Sequence, residues 1–173
     1  MALLADRPAG VYQLTRLFEE RMGGLWPMNI GQVYQTMGRL QRDGLVEVVG
    51  EVSGETGRKA EVYGLTESGR AAVEEMWASP IRGEMANRDD LVMKILLAIG
   101  DPRVDMEQIL IAQRVATLRD IRLLTDKLRE LGPDDLSEYL LIQRRIFERE
   151  SISRWLDHIE VTAINAQRKA RHG

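Results

Sequence analysis

The sequence predicts a mainly α-helical chain with one small β-hairpin, built as a winged helix-turn-helix domain followed by a carboxy-terminal antiparallel helical dimerisation arm. Three observations predict it. The run PMNIGQVYQTMGRLQRDGLV, residues 27–46, is an amphipathic helix with a polar outer face almost free of acid. A Gly-rich, basic hairpin tip, SGETGRKAEVYGL, residues 53–65, follows it closely. Two long amphipathic runs then fill the carboxy-terminal half.

The first helix is expected over Val11–Met22, where Leu14, Phe18 and Met22 share one side and Gly23 supplies a stop. Trp26 and Pro27 suit the turn that follows, Pro as a helix entry and Trp as area to bury. The second helix starts at Asn29, whose side-chain oxygen can accept from orphan backbone N–H groups, with Gln32 three residues on placed to close a capping box. Val33, Met37 and Leu40 fall at i, i+4 and i+7 as the inner stripe. Gln32, Gln35, Thr36, Arg39 and Arg42 take the outer side, and Gly44 ends the helix after Asp43. Gln and Arg can make bidentate hydrogen bonds to adenine and guanine edges in the major groove, and Thr can touch the thymine methyl.

A solvated surface helix shows the same polarity, so the next element decides between the two readings. Leu45–Val52 reads as a strand, Ser53–Gly57 as a turn and Ala60–Leu65 as the return strand. Arg58 and Lys59 sit at the tip, where two cations can hold phosphates without reading sequence. Helix, turn, helix, hairpin is the order in which a bracing helix sets a reading helix into a groove.

Beyond the hairpin, Thr66 caps a helix to about Trp77, and Ser79-Pro80 breaks it. Over Arg88–Ile99, Leu91, Ile95 and Ala98 with Val92 and Leu96 make a helix apolar on more than one side, so it is expected to be sandwiched. Gly100-Asp101-Pro102 ends it. Asp105–Leu131 keeps three- and four-residue steps through Ile111, Val115, Leu118, Ile121, Leu124, Leu128 and Leu131. Gly132-Pro133-Asp134 stops that helix and opens the last, from about Asp134 to Ala170, with Tyr139, Ile142, Ile146, Ile152, Leu156, Ile159, Ala163 and Ala166 as its stripe. Faces this long cannot be hidden on one small domain. The expectation is a winged domain over 1–79 and a helical domain over 86–173 that pairs with a second copy through Ile146, Ile152, Leu156, Ile159 and Ala163.

Composition bounds the function. The 173 residues contain no cysteine, which removes disulfides and thiolate metal sites and points to a reducing, cytoplasmic setting. No signal-type segment opens the chain and no apolar run approaches the roughly 18 residues of a membrane span, so no membrane partner is expected. The charge is −3, and residues 1–80 hold 8 Lys and Arg against 11 Asp and Glu, an awkward balance for a nucleic-acid binder. Placement offsets it, because Arg39, Arg42, Arg58 and Lys59 cluster around the reading helix and wing while Glu19, Glu20, Glu67, Glu74 and Glu75 fall on other helices. Catalysis finds no constellation: His158 and His172 have no i, i+4 partner, Asp89-Asp90 and Asp134-Asp135 suit helix starts, and no phosphate loop appears. The chain reads as a non-enzyme with no cofactor and no metal. Trp77, Trp155, Tyr139 and Phe147 are taken as helical-core packing rather than the lining of an effector cavity, and no effector residue is named.

Across PAGVYQLTRLFEERMGGLWPMNIGQVYQTMGRLQRDGLVE, RKAEVYGLTESGR and RDDLVMKILLA, the sequence resembles the PadR family of transcriptional regulators. The resemblance touches nearly every segment. It implies a winged-helix DNA-binding protein with a helical dimerisation region, usually a repressor released by a small-molecule effector. It also implies Gln32, Tyr34, Gln35, Thr36 and Arg39 near DNA on a reading helix opened by Asn29, with Arg58 and Lys59 on the wing. Two departures stand out. Gly10-Val11-Tyr12 replaces the family's frequent His-Gly-Tyr, and the first helix is shorter than usual because the chain begins Met1-Ala2-Leu3-Leu4, which hints at a start upstream. The expected partners are double-stranded operator DNA, a second copy of the chain and a small effector. The rival reading, motivated by the acidic amino-terminal half, is a helical homodimer whose winged domain contacts protein and binds DNA weakly or not at all.

Overall fold

The computed structural model describes residues 1–24, 26–53, 59–81, 89–132 and 135–172. It is mainly helical, as the sequence predicts, and the predicted hairpin is joined by a third short strand into an antiparallel sheet. A 3-10 turn at Ala2–Leu4 is followed by β1 (Ala9–Gly10), α1 (Val11–Arg21), α2 (Ile30–Arg42), β2 (Val46–Ser53), β3 (Lys59–Leu65), α3 (Glu67–Ala78), α4 (Asp90–Ile99), α5 (Met106–Glu130) and α6 (Leu136–His172). The chain forms two compact units, one of residues Met1–Trp77 with Met85–Gly100 and one of Ala78–Glu84 with Asp101–Gly173. The division falls elsewhere than a cut at 79/86 would put it, since α4 clusters with the winged unit. A polar contact holds it there: the Lys94 ammonium on α4 donates to the Trp77 carbonyl at 3.0 Å.

Both helices of the helix-turn-helix end by the same device. After α1, Gly23 (φ 60°) and Gly24 (φ 73°) are left-handed; Gly24 N–H donates to Glu19 O at 2.9 Å and Gly23 N–H to Glu20 O at 3.2 Å. After α2, Gly44 (φ 71°) donates to Gln41 O at 3.0 Å and Leu45 N–H to Leu40 O at 2.9 Å. This paired closure is a Schellman turn, which satisfies carbonyls the helix would leave orphaned and needs a residue without Cβ strain at positive φ. Glu19 also pins the connecting turn by accepting from Met28 N–H at 3.2 Å.

The winged core gathers Leu4, Ala9, Val11, Leu14, Val33, Met37, Val46, Tyr63, Leu65 and Val73, with Leu40 and Trp77 packed against it. Val33 and Met37 are buried and Leu40 is half-buried, so the inner stripe of α2 is the one its spacing predicts. Each full burial of such a side chain stabilises by about 1.5–3 kcal/mol. The sheet order is β1-β3-β2, with Val46 opposite Leu65, Glu51 opposite Glu61 and Ser53 opposite Lys59, and an irregularity between Val48 and Gly50. The short β1 joins the edge through Ala9 to Tyr63 and Gly10 to Val62.

In the second unit α5 and α6 run antiparallel, and charged pairs mark their register. Lys127 meets Glu138, Arg149 lies 3.9 Å from Asp120, Arg114 forks to Asp157 at 3.0 Å and Glu160 at 3.1 Å, and Arg168 lies 3.5 Å from Glu107. Such exposed or half-exposed pairs stabilise little each, so their weight is in fixing alignment. Packing comes from residues such as Met106, Ile109, Leu110, Ala116, Ile142, Leu156 and Ala163, all buried. Gln113, also buried, accepts from Ile81 N–H at 2.6 Å and donates to Ile81 O at 2.8 Å. Gln167 donates to Val104 O at 2.8 Å and Asp101 O at 3.2 Å.

On α5, Ile111, Val115 and Leu118 are exposed, part of an apolar face too long for one chain to hide, while Ile109, Leu110, Gln113, Ala116 and Thr117 face inward. One expectation needs correcting. On α6, Phe147 is 62% and Tyr139 42% exposed, so neither is core packing; Trp77 and Trp155 are half-buried. The turn at Gly54–Gly57 and the stop at Pro133-Asp134 lie outside the described residues.

At Gly69 of α3 an added Cβ would lie 1.9 Å from the Leu45 carbonyl oxygen. That neighbour is backbone and cannot swing away. Gly69→Ala is therefore expected to destabilise the protein by about 1–3 kcal/mol, read as a lower urea midpoint; an unchanged midpoint would show that α3 can retreat without loss.

Candidate nucleic-acid interface

Helix α2 presents the candidate surface, and its cap sets where that surface begins. Asn29 is extended and its side-chain oxygen accepts from Gly31 N–H at 2.8 Å. The oxygen is thus committed to the helix, which makes Asn29 a positioning residue. The back-bond expected here from Gln32 is found one helix earlier, where Gln13 Oε1 accepts from Gly10 N–H at 3.2 Å. Gln32 stays exposed.

With Val33 and Met37 turned inward, Gln32, Tyr34, Gln35, Thr36 and Arg39 are all exposed. Gln32, Gln35, Thr36 and Arg39 step by three and four residues and so share one face, with Tyr34 at its flank, 48% exposed. Arg39 lies along the helix with its guanidinium donating to Thr36 Oγ1 at 3.3 Å. Arg42 turns toward the carboxy end, where it meets Asp43 at 3.0 Å. The face is a row of amide, hydroxyl and guanidinium groups without a carboxylate before Asp43.

The wing is electrostatically different from its sequence reading. Lys59 is exposed and its ammonium sits 2.8 Å from a Glu51 carboxylate across the hairpin. Glu51 in turn stands opposite Glu61, and the Tyr63 hydroxyl donates to Glu61 Oε2 in a short hydrogen bond. Arg58 lies outside the described residues. Sequence reasoning counted Lys59 as a cation at the tip and missed Glu51 and Glu61 because it scored the acids by helix; counting back from the turn would have placed 51, 59 and 61 side by side.

The hydrogen bond to Glu61 raises the Tyr63 pKa to about 12, with burial adding to it and the charges of Glu61 and Tyr34 adding less. Tyr63 is buried at the base of the wing, so the Glu61–Tyr63 contact ties the exposed strand surface to the core.

Residues 1–75 match the family described as the transcriptional regulator PadR-like family. Over those 75 of its 173 residues the chain is similar to PadR-like regulators. No curated protein sequence matches the chain. Among solved structures, Bacillus subtilis PadR in complex with operator DNA is similar at 17% identity over 91% of this chain and 93% of that one, TM-score 0.43. The same protein in complex with p-coumaric acid aligns at 17% over 93% and 94%, TM-score 0.39. The Vibrio cholerae virulence activator AphA aligns at 22% over 94% and 95%, TM-score 0.37. The PadR-like match covers α1, α2, the wing and most of α3, the elements that build the surface described above.

The dimerisation residues expected on α6 divide by burial. Leu156 and Ala163 are buried within the single chain, while Ile146, Ile152 and Ile159 are half-buried. The apolar side chains left most open on this unit are Val115 on α5 and Leu136, Leu141, Phe147 and Val161 on α6, with Ile111, Leu118, Leu123 and Leu140 close behind.

A phenol whose folded pKa exceeds the ordinary 10 favours the neutral form, so the Tyr63 contribution to stability is present in full below pH 10 and is lost as pH rises through 12. An alkaline titration followed by tyrosinate absorbance is expected to show a step near pH 12 that disappears in Tyr63→Phe and moves to lower pH in Glu61→Gln. A step unmoved by Glu61→Gln would mean that the carboxylate is not its cause.

Proposed function

We propose that this PadR-like regulator is a homodimer that binds an inverted-repeat operator, acts as a repressor and is released by a small-molecule effector. The observation that carries the DNA reading is the single exposed face of Gln32, Gln35, Thr36 and Arg39 on a helix whose cap, inner stripe and Schellman end are all satisfied without them. Side chains with no structural task and base-reading chemistry are what a helix in the major groove requires. The match of the same segment to the PadR-like family points the same way.

Dimerisation is supported by the open apolar side chains of α5 and α6. Ile111, Val115 and Leu118 are 48%, 62% and 42% exposed at i, i+4 and i+7, a stripe that a second copy would cover. Two reading helices related by a two-fold axis would then enter successive major grooves roughly 34 Å apart. A ligand preferring one arrangement of that dimer would shift the population toward or away from the DNA-competent form.

Fluorescence anisotropy of the full chain on its own upstream region tests the reading. Gln35→Ala is expected to weaken specific binding by about 1–3 kcal/mol and leave random DNA unaffected, whereas Lys59→Ala lowers affinity for every sequence and flattens the salt dependence. Absence of binding at low salt would favour the protein-contact reading. Val115→Glu places a charge in the proposed seam without touching the core, so it is expected to convert a dimer to monomer in sedimentation while leaving folding stability within about 0.5 kcal/mol. A wild-type chain that sediments as a monomer would remove the geometry.

A further inference from the structure

Gly38 stands in the middle of α2, exposed, at a position where glycine is among the least favourable choices a helix can hold. Nothing among the described residues requires it. The backbone there is ordinary right-handed helix, since among the described residues positive φ is confined to Gly23, Gly24 and Gly44, and a Cβ built at Gly38 meets no described atom within 4 Å. Gly69 has Leu45 to explain it; Gly38 has open space.

Its place on the helix is specific. Gln35, Gly38 and Arg42 fall at i, i+3 and i+7, so Gly38 is a bare position between Gln35 and Arg42 on the flank of the outward face, beside Arg39. Both neighbouring guanidinium groups turn away from it, Arg39 to Thr36 and Arg42 to Asp43. The result is a patch of naked helix backbone framed by an amide and two cations. Where a local rule is broken with no compensation inside the fold, the compensation is to be sought outside it.

We infer that Gly38 is a specificity-determining position: a notch that lets the α2 backbone come against a base-pair edge between those faced by Gln35 and Arg42, closer than any side chain allows. The inference rests on the DNA-binding reading and adds a residue that contributes by having no side chain. Alanine there improves the helix and fills the notch, so stability and affinity must move in opposite directions.

The test uses the full-length chain and a duplex from its own upstream region, with random DNA of the same length beside it. Gly38→Ala is expected to raise the melting temperature by about 1–4 °C and to weaken specific binding about tenfold, with random DNA little changed. Gly38→Ser, one heavy atom larger, is expected to weaken specific binding at least as much. If both variants bind the specific duplex within about twofold of wild type, the inference is overturned while the DNA reading stands. If the wild type itself shows no preference for its upstream duplex at low salt, the reading falls and the inference falls with it.

Discussion

The winged unit depends on one junction, where the end of α2, the start of β2 and the start of α3 meet at the Leu45 peptide. Gly44 must be left-handed to turn the chain out of α2, and the turn is closed by Leu45 N–H on Leu40 O. Thr66 then locks it from the far side of the hairpin: its hydroxyl donates to Gly44 O at 2.7 Å and accepts from Gly69 N–H at 3.0 Å, while its own N–H donates to Leu45 O at 3.2 Å. One side chain therefore caps α3 and fastens the exit of α2. The angle between α2 and the hairpin is set here, because both leave from the same few atoms, and the bare Gly69 allows α3 to sit directly on the Leu45 carbonyl.

With its orientation fixed at the carboxy end and its cap satisfied by Asn29 at the other, α2 has no structural use for its outer side chains. The wing is otherwise. Its lysine is engaged by Glu51, a second glutamate faces Glu51 across the ladder, and that glutamate holds a buried tyrosine. The net charge of −3 thus has a local expression on the hairpin strands as well as on the remote helices. An exposed pair such as Lys59–Glu51 is weak, and the same holds for Arg42–Asp43 at the end of α2, whereas the Arg39 guanidinium leans on a neutral hydroxyl.

Much of this was legible in the sequence, and the reasons are specific. Gly23 and Gly44 as helix stops, Asn29 and Thr66 as caps, the Val33-Met37-Leu40 stripe and the hairpin all follow from local chemistry, which chain neighbours decide among themselves. What could not be read depends on distant partners. The two-residue β1 has no periodicity of its own and exists because Tyr63 and Val62 offer it a ladder. Lys94 lies in an apolar helix yet is buried, its pKa pushed down by burial, because the Trp77 carbonyl happens to be in reach. On α5 the apolar residues were visible, but which side the single chain buries was not: the helix packs through Ala116, Thr117 and Gln113 and leaves Val115 outside. At the candidate interface, the face of α2 was readable from its spacing, whereas the neutralisation of Lys59 required the hairpin register.

The bidentate grip of Gln113 on Ile81 has a chemical corollary. A single amide satisfies both the N–H and the C=O of one residue, as the rim of a β-sheet would, so it holds the two peptide planes on either side of the Ile81 Cα. Only a group that offers an acceptor and a donor side by side can do this. Deamidation to glutamate would erase the donor and set a carboxylate oxygen against the Ile81 carbonyl, lone pair to lone pair, in a place water scarcely reaches. The segment beyond α3 would lose its anchorage through the ageing of one nitrogen atom.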